Sequence, residues 1–263
     1  MIVNSGIKWV LFVLLSACLF GHCAAARLTV IYSKPKSAGY QEIYKALKSN
    51  HRMMYGESVA YLQDLYNWNQ DIEIRVTECG SINSKYLPDE HVIVICYESL
   101  YQKVYDYPAK TQTKKAFVNR VYQNVMFTFW HEVGHAIMDQ YGIGRQDDRK
   151  TLELLADEFA VLSMLWRNDG HWKDIVMISA LHFKSKSTRI TKENYKVHPA
   201  DDLRYEKMIV LLYGFAQKSY LRLKPEVDSL DWLSISAQEY YLERSSFWEE
   251  NLRIHVRRDF FNN

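Results

Sequence analysis

Alternation and helical spacing divide the chain into a mixed front part and a helical remainder. Leu28-Thr29-Val30-Ile31-Tyr32 is rich in β-branched residues and predicts a first strand. From Gln41 to Trp68 apolar residues recur at helical spacing, broken near Gly56, with Ile43, Leu47, Val59, Leu62 and Leu65 on the side to be buried. Asp71 to Val76 alternates strictly, as a half-buried strand does, whereas His91 to Cys96 is almost continuously apolar. The polar stretch between them holds Gly80, Asn83 and Pro88; it is too long for a tight hairpin, and the two strands can pair antiparallel across it. Tyr97 to Tyr105 reads as a short helix. A long helix follows from Ala116 to Tyr141, capped by Thr111 or Thr113, with Phe117, Val121, Val125, Met126 and Phe129 as its buried stripe. Gly142 and Gly144 end it, Arg145 to Lys150 is a charged turn, and Thr151 to Trp166 is the next helix, buried along Leu154, Leu155, Phe159 and Leu162.

Beyond Gly170 the pattern predicts a short helix flanked by His171 and His182, then a basic surface loop from Lys184 to Lys196. Asp201 or Asp202 is placed to cap a helix that runs to Gly214. Ser234 to Val256 reads as an amphipathic helix or helix pair with Trp248 and Leu252 turned inward. The expected fold class is α+β, mostly α: a small sheet packed on one long helix, with a helical C-terminal region. Residues 27–263 read as one domain, in which 27–142 hold the sheet and long helix and 143–263 the helical part.

Composition narrows the picture. The chain has 263 residues, 48% hydrophobic and 24% charged, which suits one sizeable core. A net charge of +2 argues against a dedicated nucleic-acid binder. Lys8, the apolar run Trp9 to Phe20 and Ala24-Ala25-Ala26 have the layout of an export signal over residues 1–26, too short to span a bilayer. Leu15-Ser16-Ala17-Cys18 offers a second processing route, a lipid anchor at Cys18. The protein is therefore expected to be secreted or periplasmic, or else tethered to a bacterial envelope. A cut after Ala26 leaves two cysteines, Cys79 and Cys96; outside the cytoplasm such a pair suggests a disulfide, with metal ligation as the alternative.

The long helix also carries chemistry. His131-Glu132-Val133-Gly134-His135 sets two imidazoles four residues apart, on one helical face, where both can address a single zinc ion. Glu132 stands next to them, suited to hold a water and take its proton. Two histidines make half a site, and the following helix supplies two carboxylates on one face. Glu153, 18 residues after His135, is the natural third ligand, and Asp157, one turn on, can accept the free ring N–H of a ligating histidine. His198, just before the next helix, could steady a developing oxyanion; Arg204, within that helix, is a weaker candidate for the same task and is otherwise expected behind the ligands. The bland alternatives are surface histidines on an amphipathic helix and solvated acids on its neighbour. His91 is taken as an ordinary strand-edge histidine.

These residues resemble a gluzincin, the thermolysin-like division of zinc peptidases, through His131-Glu132-x-x-His135 and Glu153-x-x-x-Asp157. Glu153-x-x-Ala156-Asp157 and His198-Pro199 with Arg204 are similar to its prenyl-protease and heat-shock-protease branch. Closer still is an uncharacterised family of exported bacterial metallopeptidase-like proteins. It is matched by Glu78-Cys79-Gly80 with Asn83, Cys96-Tyr97-Glu98, His198 with Arg204 and Tyr213-Gly214, and Trp248 to Leu252. The match covers roughly residues 70–255 and implies a zincin-like fold. It also implies zinc held by His131, His135 and Glu153, with Glu132 as general base. The family's second cysteine pair has no counterpart in the C-terminal third. Metzincins are excluded, because Met138 and Tyr141 stand where they need glycine and histidine. The expected activity is zinc-dependent hydrolysis of a protein or peptide substrate, the alternative being an exported zinc- or peptide-binding protein without catalysis.

Overall fold

The structure is a computed structural model, and it describes residues 26–105, 113–167, 170–187 and 199–257. The export segment, Cys18, Thr111 and His198 lie outside the described residues. The chain folds as expected into an α+β, mostly helical protein with one four-stranded sheet. The strands are β1 (Leu28–Tyr32), β2 (Ile72–Thr77), β3 (Lys85–Leu87) and β4 (Val92–Cys96), in the order β1-β2-β4-β3. The helices are α1 (Gln41–Ser49), α2 (Glu57–Leu65), α3 (Tyr97–Tyr105), α4 (Lys114–Tyr141), α5 (Arg149–Trp166), α6 (Gly170–Ser187), α7 (Asp201–Phe215), α8 (Lys224–Asp228) and α9 (Ala237–Leu252). A π-helical stretch, Arg52–Gly56, joins α1 to α2 where the sequence shows its break.

The sheet departs from the expected pairing. β2 and β4 run parallel, with Glu73 opposite Val92, and β3 inserts antiparallel on the outer side of β4. The burial pattern explains this. Ile72, Ile74 and Val76 of β2 are buried while the residues between them are only partly covered, but all five residues of β4 are buried. A strand buried on both faces belongs in the sheet interior with parallel company. Ile93 and Ile95 enter the main core; Val92, Val94 and Cys96 form a second cluster with Cys79 and Leu87. The long polar stretch therefore carries the chain past one strand position to the edge and back. The Cys79–Cys96 disulfide clamps its base, with Cα atoms 5.5 Å apart. Closing a loop of this length stabilises by about 3 kcal/mol. The Glu98 carboxylate accepts from the backbone N–H groups of Cys79 and Gly80, and Ser84 Oγ accepts from Cys96 N–H, so the segment leading to β3 is held in place.

In the helical part, four expectations change. Asp148 caps α5 by accepting from Thr151 N–H, so that helix begins inside the charged turn. α5 is buried on nearly every side from Leu155 to Leu165, because α4, α6, α7 and α9 surround it. The short helix is instead an eighteen-residue element, α6, which absorbs His171, His182 and the first residues of the basic loop. Ala200 takes the cap position of α7, leaving Asp201 and Asp202 in the first turn, where the helix dipole favours acids. α9 opens with a reciprocal Ser236–Glu239 capping box, and Trp248 and Leu252 are fully buried as expected. One core cluster runs from Leu28 in the sheet to Leu252 in α9.

Candidate metal centre

Two helices build the site. α4 turns at Gly142 (φ 74°) and Gly144 (φ 71°), left-handed positions that glycine adopts without strain. The chain thus reverses and α5 lies against α4. The approach is closest at Gly134, between Val133 and His135. A Cβ there would come within 3.0 Å of Ala156 Cα, 3.1 Å of its carbonyl oxygen and 3.3 Å of the Phe159 ring. A glycine facing an alanine lets the two backbones meet, and this contact sets the separation between the histidines on α4 and the carboxylates on α5. Gly134→Val should push the helices apart, lowering stability by about 1–3 kcal/mol and weakening metal binding. Chemical denaturation and metal titration of the variant check both effects.

The side chains of both helices converge where the motif spacing places them. The Nε2 of His131 lies 3.4 Å from one oxygen of Glu153, and the Nε2 of His135 lies 3.7 Å from the other. The imidazoles meet edge to face, with centroids 4.8 Å apart. His131, Glu132 and His135 also offer donor atoms that all lie within 4.8 Å of one another. A tetrahedral ion with bonds of 2.0–2.1 Å separates its donors by about 3.3 Å. The two histidine–Glu153 spacings are within a few tenths of an ångström of that, and two imidazole nitrogens with carboxylates are a donor set suited to zinc. Residues and group therefore fit.

Behind the donors lies a chain of charges. The Nδ1 of His131 is 2.8 Å from Asp157 Oδ1, so the ring presents Nε2 toward Glu153. Arg204 grips Asp157 with two bonds of 2.6 Å, from Nε and Nη2, and its guanidinium lies 4.1 Å from the centroid of the Phe183 ring. All of this is buried: Asp157 is 3% exposed and His131 8%. Burial alone would raise the Asp157 carboxyl, but the charges of Arg204 and His131 hold it down at about 2. Burial likewise opposes protonation of His131, yet Asp157 and Glu153 raise it to about 9. His135, half-buried and beside His131, is lowered to about 3 by desolvation and by its neighbour's charge. The Arg204 guanidinium is thus engaged by Asp157. Cys79 and Cys96 are joined to each other, away from the histidines.

The site opens on a cleft of about 470 Å³. Its floor is the histidine face of α4, one wall is β3 with the residues flanking it, and the other is the turn from Ile143 into α5. Several contacts here have no signature in the local pattern. The Tyr86 hydroxyl donates to Asp139 at 2.8 Å, tying the edge strand to α4 one turn past His135. On the far side of α5, Glu158 receives two bonds from Arg244, at 2.7 and 2.8 Å, and one from the Trp248 indole at 3.2 Å, fastening α9 to α5. Asp139 could have been found from its spacing of four after His135; the partner of Glu158, 86 residues away, could not.

A family described as "Putative metallopeptidase" matches residues 32–252. The chain belongs to this family. That membership implies a metal ion and metal-dependent hydrolysis, and the match, which starts at the last residue of β1, takes in the other three strands, both site helices and all of α9. None of the curated proteins and none of the solved structures matches the chain. Among the described residues, no helix is long and apolar enough to cross a membrane.

Proposed function

We propose that the protein is an exported zinc peptidase in which His131, His135 and Glu153 hold the metal and Glu132 is the general base. The observation that carries this reading is the meeting of the His131 and His135 Nε2 atoms with the Glu153 carboxylate, at 3.4 and 3.7 Å, on the floor of a cleft that Glu132 also lines. When bound, zinc would lower the pKa of a water toward 7 and polarise the scissile carbonyl. Glu132 takes the proton released from the attacking water and passes it to the departing amine. Asp157 keeps His131 in the tautomer that presents Nε2, and Arg204 keeps Asp157 ionised and oriented. The substrate lies extended along the free side of β3, adding a strand to the sheet edge that walls the cleft.

His198 is the proposed oxyanion donor. It directly precedes Pro199 and Ala200, from which α7 departs to deliver Arg204 to Asp157. His198→Ala should lower kcat by roughly 10²-fold with the metal retained; an unchanged kcat rejects the role. The Cys79–Cys96 bridge supports export, by signal cleavage or as a lipoprotein anchored at Cys18. The core running from Leu28 to Leu252 supports a single domain over 27–263. Metal analysis together with digestion of a mixed peptide library tests the whole reading. The wild type should bind one zinc per chain and cleave peptides, and His131→Ala should lose the zinc. Stoichiometric zinc in that variant, or a zinc-loaded wild type that cleaves nothing, would overturn it.

A further inference from the structure

The cleft is lined by three cations from three separate elements: Lys85 on the edge strand, Arg145 in the turn after α4, and Arg149 at the first position of α5. All three are exposed, and none has an ion-pair partner among the described residues. Of the acids nearby, three are engaged, while Asp147, between the two arginines in sequence, is exposed. Asp139 accepts from Tyr86, Glu153 faces both histidines, and Asp148 caps α5 through Thr151.

Helix stability does not account for Arg149. Arg149 and Lys150 open α5, whose first turn contains no acid, although the dipole at a helix N-terminus disfavours cations. Arg145 folds its guanidinium onto Gly142. A Cβ at that glycine would meet Arg145 Nε at 2.8 Å and Cζ at 3.0 Å, so the missing side chain makes the seat for the cation. The C-terminal end of α4 favours positive charge there. The result is a guanidinium lying against the backbone at the cleft.

We propose that Lys85, Arg145 and Arg149 read a carboxylate on the substrate, so that the cleft selects peptides with an acidic side chain or a free C-terminus close to the bond that is cut. This rests on the peptidase reading above for its location. Guanidinium groups match carboxylates in shape and charge, and two of them facing a third cation across a cleft concentrate the preference for an anion. The selection adds to whatever backbone pairing β3 provides, which is indifferent to side chains.

The test reads binding without turnover. Zinc-loaded Glu132→Gln protein is titrated with randomised peptide pools that share a fixed central residue, Glu in one and Gln in the other, each with a free or an amidated C-terminus. The Glu pool, the free-carboxylate pool or both should bind roughly tenfold more tightly than the neutral counterpart, with the advantage shrinking as salt is raised. The pool that carries the advantage tells a side-chain carboxylate from a terminal one. In Arg145→Gln/Arg149→Gln the advantage should fall to within about twofold, at an unchanged zinc content and unfolding midpoint. Equal binding of all four pools, or no binding of any, overturns the proposal. So does an advantage that survives both the double substitution and Lys85→Gln. A wild type that binds carboxylate peptides but cleaves none would reject the peptidase reading and leave the carboxylate site standing.

Discussion

Replacing Glu132 by glutamine should leave zinc bound and reduce peptide hydrolysis by roughly 10²- to 10⁴-fold, the range a positioned general base supplies. Glutamine keeps the length and nearly the shape of the side chain, so the helix and the ligands around it have no reason to move. What it lacks is an oxygen that can accept a proton and later return it. Glu132 is 4% exposed, within reach of both imidazoles and at the cleft, so its chemistry is directed at whatever enters there. Metal content and kcat measured on the same preparations separate the roles. Loss of metal together with activity would make Glu132 a ligand; retained activity would remove it from the reaction.

Asp157→Ala should do different damage. It leaves the Arg204 guanidinium buried without its counter-ion and the His131 Nδ1 without its acceptor. Breaking one side of a buried ion pair costs about 3–5 kcal/mol, and losing the acceptor behind a ligating histidine weakens metal binding by roughly 10- to 100-fold. Urea unfolding of the metal-free protein reads the first effect and competition with a chelator the second. Replacing both partners, Asp157→Leu with Arg204→Met, should restore part of the stability, since no charge is then stranded; metal affinity should remain low. The pH dependence follows from the depressed carboxyl. Because Asp157 titrates at about 2 rather than 3.8, its contribution is complete above pH 4 and is lost as pH falls toward 2. Asp157→Ala should therefore flatten the acid limb of the stability profile. An Asp157→Ala protein as stable as wild type at pH 7 would show that the charge chain does not hold the two helices together.

Much of this was legible without coordinates because it is local. Strict alternation marked β2, the unbroken apolar run marked β4, and helical spacing marked α4 and α5. The same 3.6-residue period that buries Val125 and Phe129 also turns His131 and His135 to one side, so the histidine face could be read together with the core face. Glu153 and Asp157 followed from the same rule one helix later. A three-residue strand such as β3 has no period to detect, and its polar surroundings read as a loop. The direction of β4 relative to β2 had only an indirect mark, the unbroken apolar run of an interior strand, and the path of the intervening chain left both directions open.

The sequence by itself determined the elements, the α+β class and which side chains share a face, because those depend on neighbours three, four or two positions away. Tertiary structure alone decided how close the faces come. The contact of Gly134 with Ala156 sets the helix separation; Arg204 reaches Asp157 across 47 residues, Arg244 reaches Glu158 across 86, and Tyr86 reaches Asp139 across 53. Each of these is a pairing of charges or small side chains that the local pattern treats as interchangeable with any other. Only packing around a common core chooses among them, and that choice places the edge strand and three exposed cations around the histidine face.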